Sequence, residues 1–184
     1  MKPFAGMLLL GLGLASLSAA ALHFDLWQRD WRASVVIVAA LLWMSWIDFR
    51  EMRLPDFLTL PLIAAGLLWA GFVTHELMDS LIGASVGYAL IWGLNAYWRR
   101  FKGQDGIGLG DAKLLAAAGA WLGWMGLPLV LLVASSAGLA IAGIASITAR
   151  RKQAFSGVIV FGPFLALGFW AVWSLGTDPV AWLS

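Results

Sequence analysis

The chain has 184 residues, of which 61% are hydrophobic and only 12% charged, with a formal net charge of +2 and a mean hydropathy of +0.86. A soluble globular domain carries roughly 25% charge, so a soluble class is excluded, and the apolar residues come in runs near the ~20 residues that cross a bilayer core of roughly 30 Å. Without cysteine there are no disulfides and no thiolate metal sites. The basic pI of about 9.3 does not signal nucleic acid, because the cations stand between apolar runs.

Seven apolar segments are predicted, at about 4–22, 33–49, 57–74, 81–98, 111–126, 128–148 and 157–176. They define an all-α fold, a polytopic membrane helix bundle of about seven transmembrane helices. The first segment, with Lys2 ahead of it and SLSAAA near its end, has features of a signal peptide, but its apolar run is long for one and a retained helix is expected. Two units follow: 1–32, a first transmembrane helix and outer loop, and 33–184, the remaining membrane domain.

The cations orient the bundle. With a cytoplasmic N-terminus, Lys2, Arg50, Arg53, Arg99, Arg100, Lys102, Lys113, Arg150, Arg151 and Lys152 all fall inside, and only Arg29 and Arg32 of the twelve fall outside. The C-terminal stretch GTDPVAWLS is then external, with Trp182 as an interfacial anchor. Trp27, Trp31, Trp46, Trp98, Trp124 and Trp173 stand near segment ends, as an aromatic belt requires. The small residues of AAAGAWLG and ASSAGLAIAGIAS permit close helix packing. His23 and His75 are far apart and read as interfacial polar groups, not metal ligands.

Five acids, Asp25, Asp30, Glu76, Asp79 and Asp178, fall in outer connections. The other five, Asp48, Glu51, Asp56, Asp105 and Asp111, fall in two inner stretches, WIDFREMRLPDF and RRFKGQDGIGLGDAKLL. Plain structural readings exist for most. Asp111 can N-cap the helix it precedes, after glycines that permit the turn, and Asp56 can do the same after Pro55. Asp105 reads as loop, and Glu51 as part of a solvated face. Asp48 resists such a reading, because it ends the run LLWMSWI where the negative end of the helix dipole disfavours a carboxylate. An ionisable group at the rim of an apolar helix calls for a partner, and Asp111 is the best candidate. Two carboxylates at one site can share a proton and divide acid and base work.

These motifs resemble those of type IV prepilin peptidases, the GxGD class of intramembrane aspartic peptidases. The resemblance rests on Ile47-Asp48 followed by Leu54-Pro55-Asp56, on Gly108-Leu109-Gly110-Asp111, on DFLTLPLI, GAWLGW and FGPFLALG, and on their order across roughly residues 36–176. It implies that Asp48 and Asp111 are the catalytic pair and that Asp56 and Lys113 support them. Helix ends suggest Asp111 as base and Asp48 as acid. Gly108 and Gly110 leave backbone bare beside Asp111, where an extended substrate could pair. The implied reaction removes a short basic leader peptide from prepilins or secretion pseudopilins at the cytoplasmic face of a bacterial inner membrane, with no cofactor and no metal. Glu51, Asp56 and Asp105 are the only acids placed to attract that leader.

Many bacterial members of that family carry an N-terminal cytoplasmic domain with paired CxxC motifs, associated with methylating the new N-terminus. This chain has no cysteine and only HFDLWQRDWR between its first two segments, so a short form without the Cys-rich domain is expected, acting as a peptidase only. The alternatives are a transporter using the same acids as a relay, and an inactive assembly factor. Relay acids line a path across the membrane, whereas these share one face, and both acidic motifs are intact.

Overall fold

The computed structural model describes residues 31–51, 54–102, 108–148 and 161–176. Among them every regular element is helical: α1 (Trp31–Glu51), α2 (Asp56–Trp69) continued by a π turn (Ala70–Thr74), α3 (Leu77–Lys102), α4 (Leu109–Thr148) and α5 (Gly162–Leu175). Four helical stretches are long and apolar enough to cross a membrane, namely Trp31–Asp48, Asp56–Thr74, Leu77–Phe101 and Leu109–Gly143, and α5 is a shorter apolar helix. Helices suit such sequences because each satisfies its own backbone polar groups without water. The expected segment at 4–22, nearly all of the unit 1–32, the cations at 150–152 and the C-terminal tail lie outside the described residues.

The segments expected at 33–49, 57–74 and 81–98 are α1, α2 with its π turn, and α3, which runs several residues further at both ends. Pro55 supplies an extended residue (φ −75°, ψ 135°) just before α2, the conformation that a proline-fixed φ and a helix entrance share. The π turn closes on His75, whose left-handed backbone (φ 59°, ψ 22°) directs its own N–H to the Ala70 carbonyl; Glu76 N–H reaches the same oxygen at 3.0 Å.

The two segments expected at 111–126 and 128–148 are joined in α4, and Gly123 divides them. Its φ of 71° and ψ of 177° break the helical path, at values open to glycine and strained for other residues. The contacts on either side show that the chain reverses there. Before the break, Leu115 meets Gly87 and Gly119 meets Gly83, while Gly123 itself lies beside Asp79, so this half runs antiparallel to α3. After it, Val130 and Ala134 meet Gly168, and Gly138 lies beside Phe164, so the second half returns antiparallel to α5. The break falls at Gly123, ahead of the Gly126–Pro128 boundary that hydropathy suggests.

Small residues line much of the buried face of α4, and many large apolar side chains face outward. Ala112, Ala117, Ala118 and Ala120 are buried, whereas Phe57, Phe72, Met78 and Leu139 are exposed, as suits helices that face lipid. Close packing of small residues holds for the first half of α4. Around Ser135–Ser136 and Leu139–Ile141 the second half is exposed instead. The aromatic belt also needs one correction. Trp173 is buried, donates its indole N–H to Ser34 Oγ at 3.0 Å, and meets Trp121 edge-on at 5.5 Å between ring centroids. Trp121 in turn stacks at 6.1 Å on Trp69 and donates to the Leu62 carbonyl at 2.9 Å. Their indole N–H groups find partners inside the bundle, so these rings form core. Trp31 and Trp124 are exposed as a belt requires, and Trp46 lies 4.4 Å beneath the Arg50 guanidinium.

A Cβ on Gly119 would come within 2.2 Å of the Gly83 carbonyl oxygen, a backbone atom that cannot swing away. Gly119→Val is therefore expected to destabilise by at least the ~1–3 kcal/mol typical of overpacking. Gly93, with open space around it, is expected to accept Ala without loss, since alanine is favoured over glycine within a helix by roughly 0.5–1 kcal/mol. Thermal unfolding of both variants in detergent checks the contrast.

Candidate active site

Four helix ends meet at one end of the bundle, and they bring the separated motifs together. α1 contributes Asp48 near its C-terminus, and the link to α2 contributes Leu54. The first turn of α4 contributes Gly110 and Asp111, and the first turn of α5 contributes Gly162. Leu54 is the wedge between them. A Cβ on Gly110 would lie 2.9 Å from Leu54 Cβ and Cδ1, and one on Gly162 would lie 3.3 Å from the same Cδ1. Gly162 also faces Asp48 directly, its Cβ position lying 2.3 Å from the Asp48 carboxylate oxygen Oδ2.

Both acids are withdrawn from solvent, Asp48 at 5% exposure and Asp111 at 7%. They are brought to one place through Leu54, which meets both Gly110, the residue before Asp111, and Gly162, which faces Asp48. Asp48 Oδ2 is buried with no hydrogen-bond partner among the described residues. Taking a carboxylate out of water is costly unless it is paired or shares its proton. Two buried carboxyls brought to one site can share a proton, and their titration then belongs to the pair. Asp48 stands near the C-terminus of α1 and Asp111 in the first turn of α4, the two opposite helix ends from which the acid and base roles are read.

Asp111 does not cap α4. The helix begins two residues earlier, at Leu109, and Asp111 stands within its first turn with its N–H donated to the Gly108 carbonyl at 3.1 Å. Asp56 does not cap α2 either: the residue at the cap is Pro55, and no side-chain capping bond forms. Asp56 instead accepts a hydrogen bond from Lys113 Nζ, forming an ion pair across 57 residues of sequence. The two residues grouped as supporting are thus partners, tying the entrance of α2 to the first turn of α4, two residues beyond Asp111.

The glycines of the GLGD stretch separate into different roles. Gly110 is occupied by Leu54, so its missing side chain serves packing. Around Gly108, which is exposed, the nearest atoms to an added Cβ are Asp111 Oδ2 at 3.8 Å and Gly110 N at 4.0 Å, which leaves the space beside it open. Asp105 lies outside the described residues, and the Glu51 side chain is not described. Reasoning from sequence missed Leu54 and Gly162 as site residues. Both stand inside quoted motifs, LPD and FGPFLALG, but carry no reactive group that would single them out. Ser45, buried and one turn before Asp48 on α1, also escaped notice. Among the described residues no cluster of three or more His, Cys, Asp and Glu could hold a metal ion.

Comparison with known proteins falls on the same region. The model of the type IV leader peptidase family matches residues 35–143, more than half of the chain. That match contains Asp48, Leu54, Asp56, Gly108, Gly110, Asp111 and Lys113; Gly162 lies beyond it. The chain is 43% identical over 153 residues to the prepilin leader peptidase/N-methyltransferase of Aeromonas hydrophila, covering 82% of this chain and 51% of that protein. It is 47% identical over 148 residues to the protein of that name from Burkholderia pseudomallei (79% of this chain, 47% of that one). With the Escherichia coli protein of that name it shares 44% identity over 147 residues (78% and 61%). The chain spans about half the length of the first two relatives. No solved structure matches it.

The Asp56–Lys113 pair is testable as a link between segments. Asp56 is 60% and Lys113 25% exposed, and partly exposed pairs of this kind are worth about 0.2–1 kcal/mol. A double-mutant cycle of Asp56→Ala and Lys113→Ala, followed by thermal unfolding in detergent, is expected to give a coupling energy in that range. A value of zero would mean that the two side chains do not hold the segments together.

Proposed function

This chain belongs to the type IV leader peptidase family, and from that premise we propose that it is an intramembrane aspartic endopeptidase cleaving leader peptides from prepilins or pseudopilins. The observation that carries the reading is the burial of Asp48 and Asp111 where four helix ends meet. The names of the relatives support prepilin as the substrate class.

Hydrolysis of a peptide bond needs a water made nucleophilic and a proton for the departing nitrogen. A carboxyl pair sharing one proton provides both. The ionised member takes a proton from the water as it attacks the scissile carbonyl, and the protonated member supports the developing oxyanion and then protonates the amine. The pair returns to a singly protonated state after each turnover. Asp56 and Lys113 are proposed to hold the first turn of α4 in place, and Gly108 to offer open backbone to an extended stretch of substrate.

The site is proposed to lie at the cytoplasmic face. Arg50 ends α1, Arg99 and Arg100 end α3 and Lys113 begins α4, so cations gather at the same end of the bundle as the two acids. This is the distribution that the positive-inside rule associates with the cytoplasm. On that orientation the N-terminus is cytoplasmic and the bundle has about seven spans in a bacterial inner membrane, with 33–184 as its catalytic part. The proposal stops at peptidase activity. The N-methyltransferase in the relatives' names is not carried over, because the sequence has no cysteine with which to build a CxxC site.

Cleavage of a prepilin in liposomes by wild type, Asp48→Asn and Asp111→Asn tests the reading. Each substitution is expected to lower the rate by at least the ~10²–10⁴-fold that general acid–base catalysis contributes, while the variant still inserts and unfolds at the wild-type temperature. Wild-type cleavage by either one would remove the aspartic mechanism.

A further inference from the structure

Gly162 stands against the Asp48 carboxylate in a position that no other amino acid can take without displacement. Its would-be Cβ lies 2.3 Å from Asp48 Oδ2, closer than real Cβ atoms approach any neighbour, and 3.1 Å from Cγ. The residue opens α5, a helix of 14 residues with Pro163 in its first turn. Phe164 and Leu165 already donate their N–H groups to the Phe161 carbonyl, at 3.0 and 3.1 Å, and Pro163 has no N–H to give. The end of α5 that carries Gly162 is thus its positive pole. Facing it is a carboxylate that is 95% buried and whose Oδ2 finds no hydrogen-bond partner among the described residues.

This geometry resolves the awkward placement of Asp48. At the C-terminus of α1 the carboxylate meets the negative end of one helix dipole, and α5 brings the positive end of another against it. The approach is possible only because residue 162 lacks a side chain. Resting on the aspartic-pair reading, we propose that Gly162 is a positioning residue. By letting the first turn of α5 close on Asp48, it sets where that carboxylate stands relative to Asp111. Gly168, one and a half turns along the same helix, makes a useful contrast. Its Cβ position meets the Val130 carbonyl oxygen at 2.5 Å, far from either acid, so it serves helix packing alone.

The test compares Gly162→Ala and Gly168→Ala in the full chain, in liposomes with a prepilin substrate. Displacing a reacting group by about 1 Å can cost 10²-fold, so Gly162→Ala is expected to lose roughly that much in kcat with KM unchanged. Gly168→Ala is expected to lower the unfolding temperature and leave the kcat of the folded fraction at the wild-type value. A second measurement holds even where Gly162→Ala unfolds: the drop in unfolding temperature that Gly162→Ala causes should largely vanish in an Asp48→Ala background, where the clashing carboxylate is gone. An undiminished drop in that background overturns the proposal, as does a wild-type kcat for Gly162→Ala beside an inactive Asp48→Asn. Wild-type cleavage by Asp48→Asn instead overturns the aspartic reading, so the two failures are distinguishable.

Discussion

Two carboxyl groups held out of water where four helix ends meet set the terms for the surrounding structure. Withdrawing such a group from solvent costs several kcal/mol unless something compensates. Nearby features each offer part of that compensation. Asp48 and Asp111 are buried at the same end of the bundle, where they are proposed to share a proton, and the positive pole of α5 faces Asp48. Leu54 fills the remaining gap with hydrocarbon, touching the Cβ positions of both Gly110 and Gly162. None of these contacts could form if the helices were kept apart by ordinary side chains.

Glycine therefore does related work at two distances from the site. Within the bundle, Gly83, Gly87, Gly119 and Gly168 bring backbones into direct contact, which suits association in lipid, where apolar burial gives helices little reason to choose each other. At the site, Gly110 and Gly162 bring helix entrances up to Leu54 and Asp48. Gly123 differs again. Its backbone angles reverse α4, so that a single helical run supplies both the strut against α3 and the partner of α5. That reversal returns the chain to the end of the bundle where α5 begins.

Much of this was legible in the sequence because the relevant physics is local and one-dimensional. Runs of apolar residues predict helices, and α1, α2 and α3 lie where those runs do. Asp48 stood out because a carboxylate at a helix C-terminus conflicts with the dipole, and Asp111 stood out beside glycines. What could not be read was whatever depends on distant segments meeting. Asp56 looked like a cap because only its neighbours in sequence were visible, whereas its partner Lys113 lies 57 residues away. Trp173 looked like an interfacial anchor because it is near a helix end, yet Ser34 and Trp121 enclose it. Gly162 carries no chemistry of its own, and its importance appears only when Asp48 is seen against it.

The central claim is that Asp48 and Asp111 face one another in the membrane-embedded protein, and the cysteine-free sequence allows that to be measured without background. In an Asp48→Cys/Asp111→Cys variant, reconstituted in liposomes and treated with a short bifunctional thiol reagent, an intramolecular cross-link is predicted. Mass spectrometry would identify it as joining residues 48 and 111. Efficient labelling of each cysteine singly, with no cross-link in the double variant, would contradict the account.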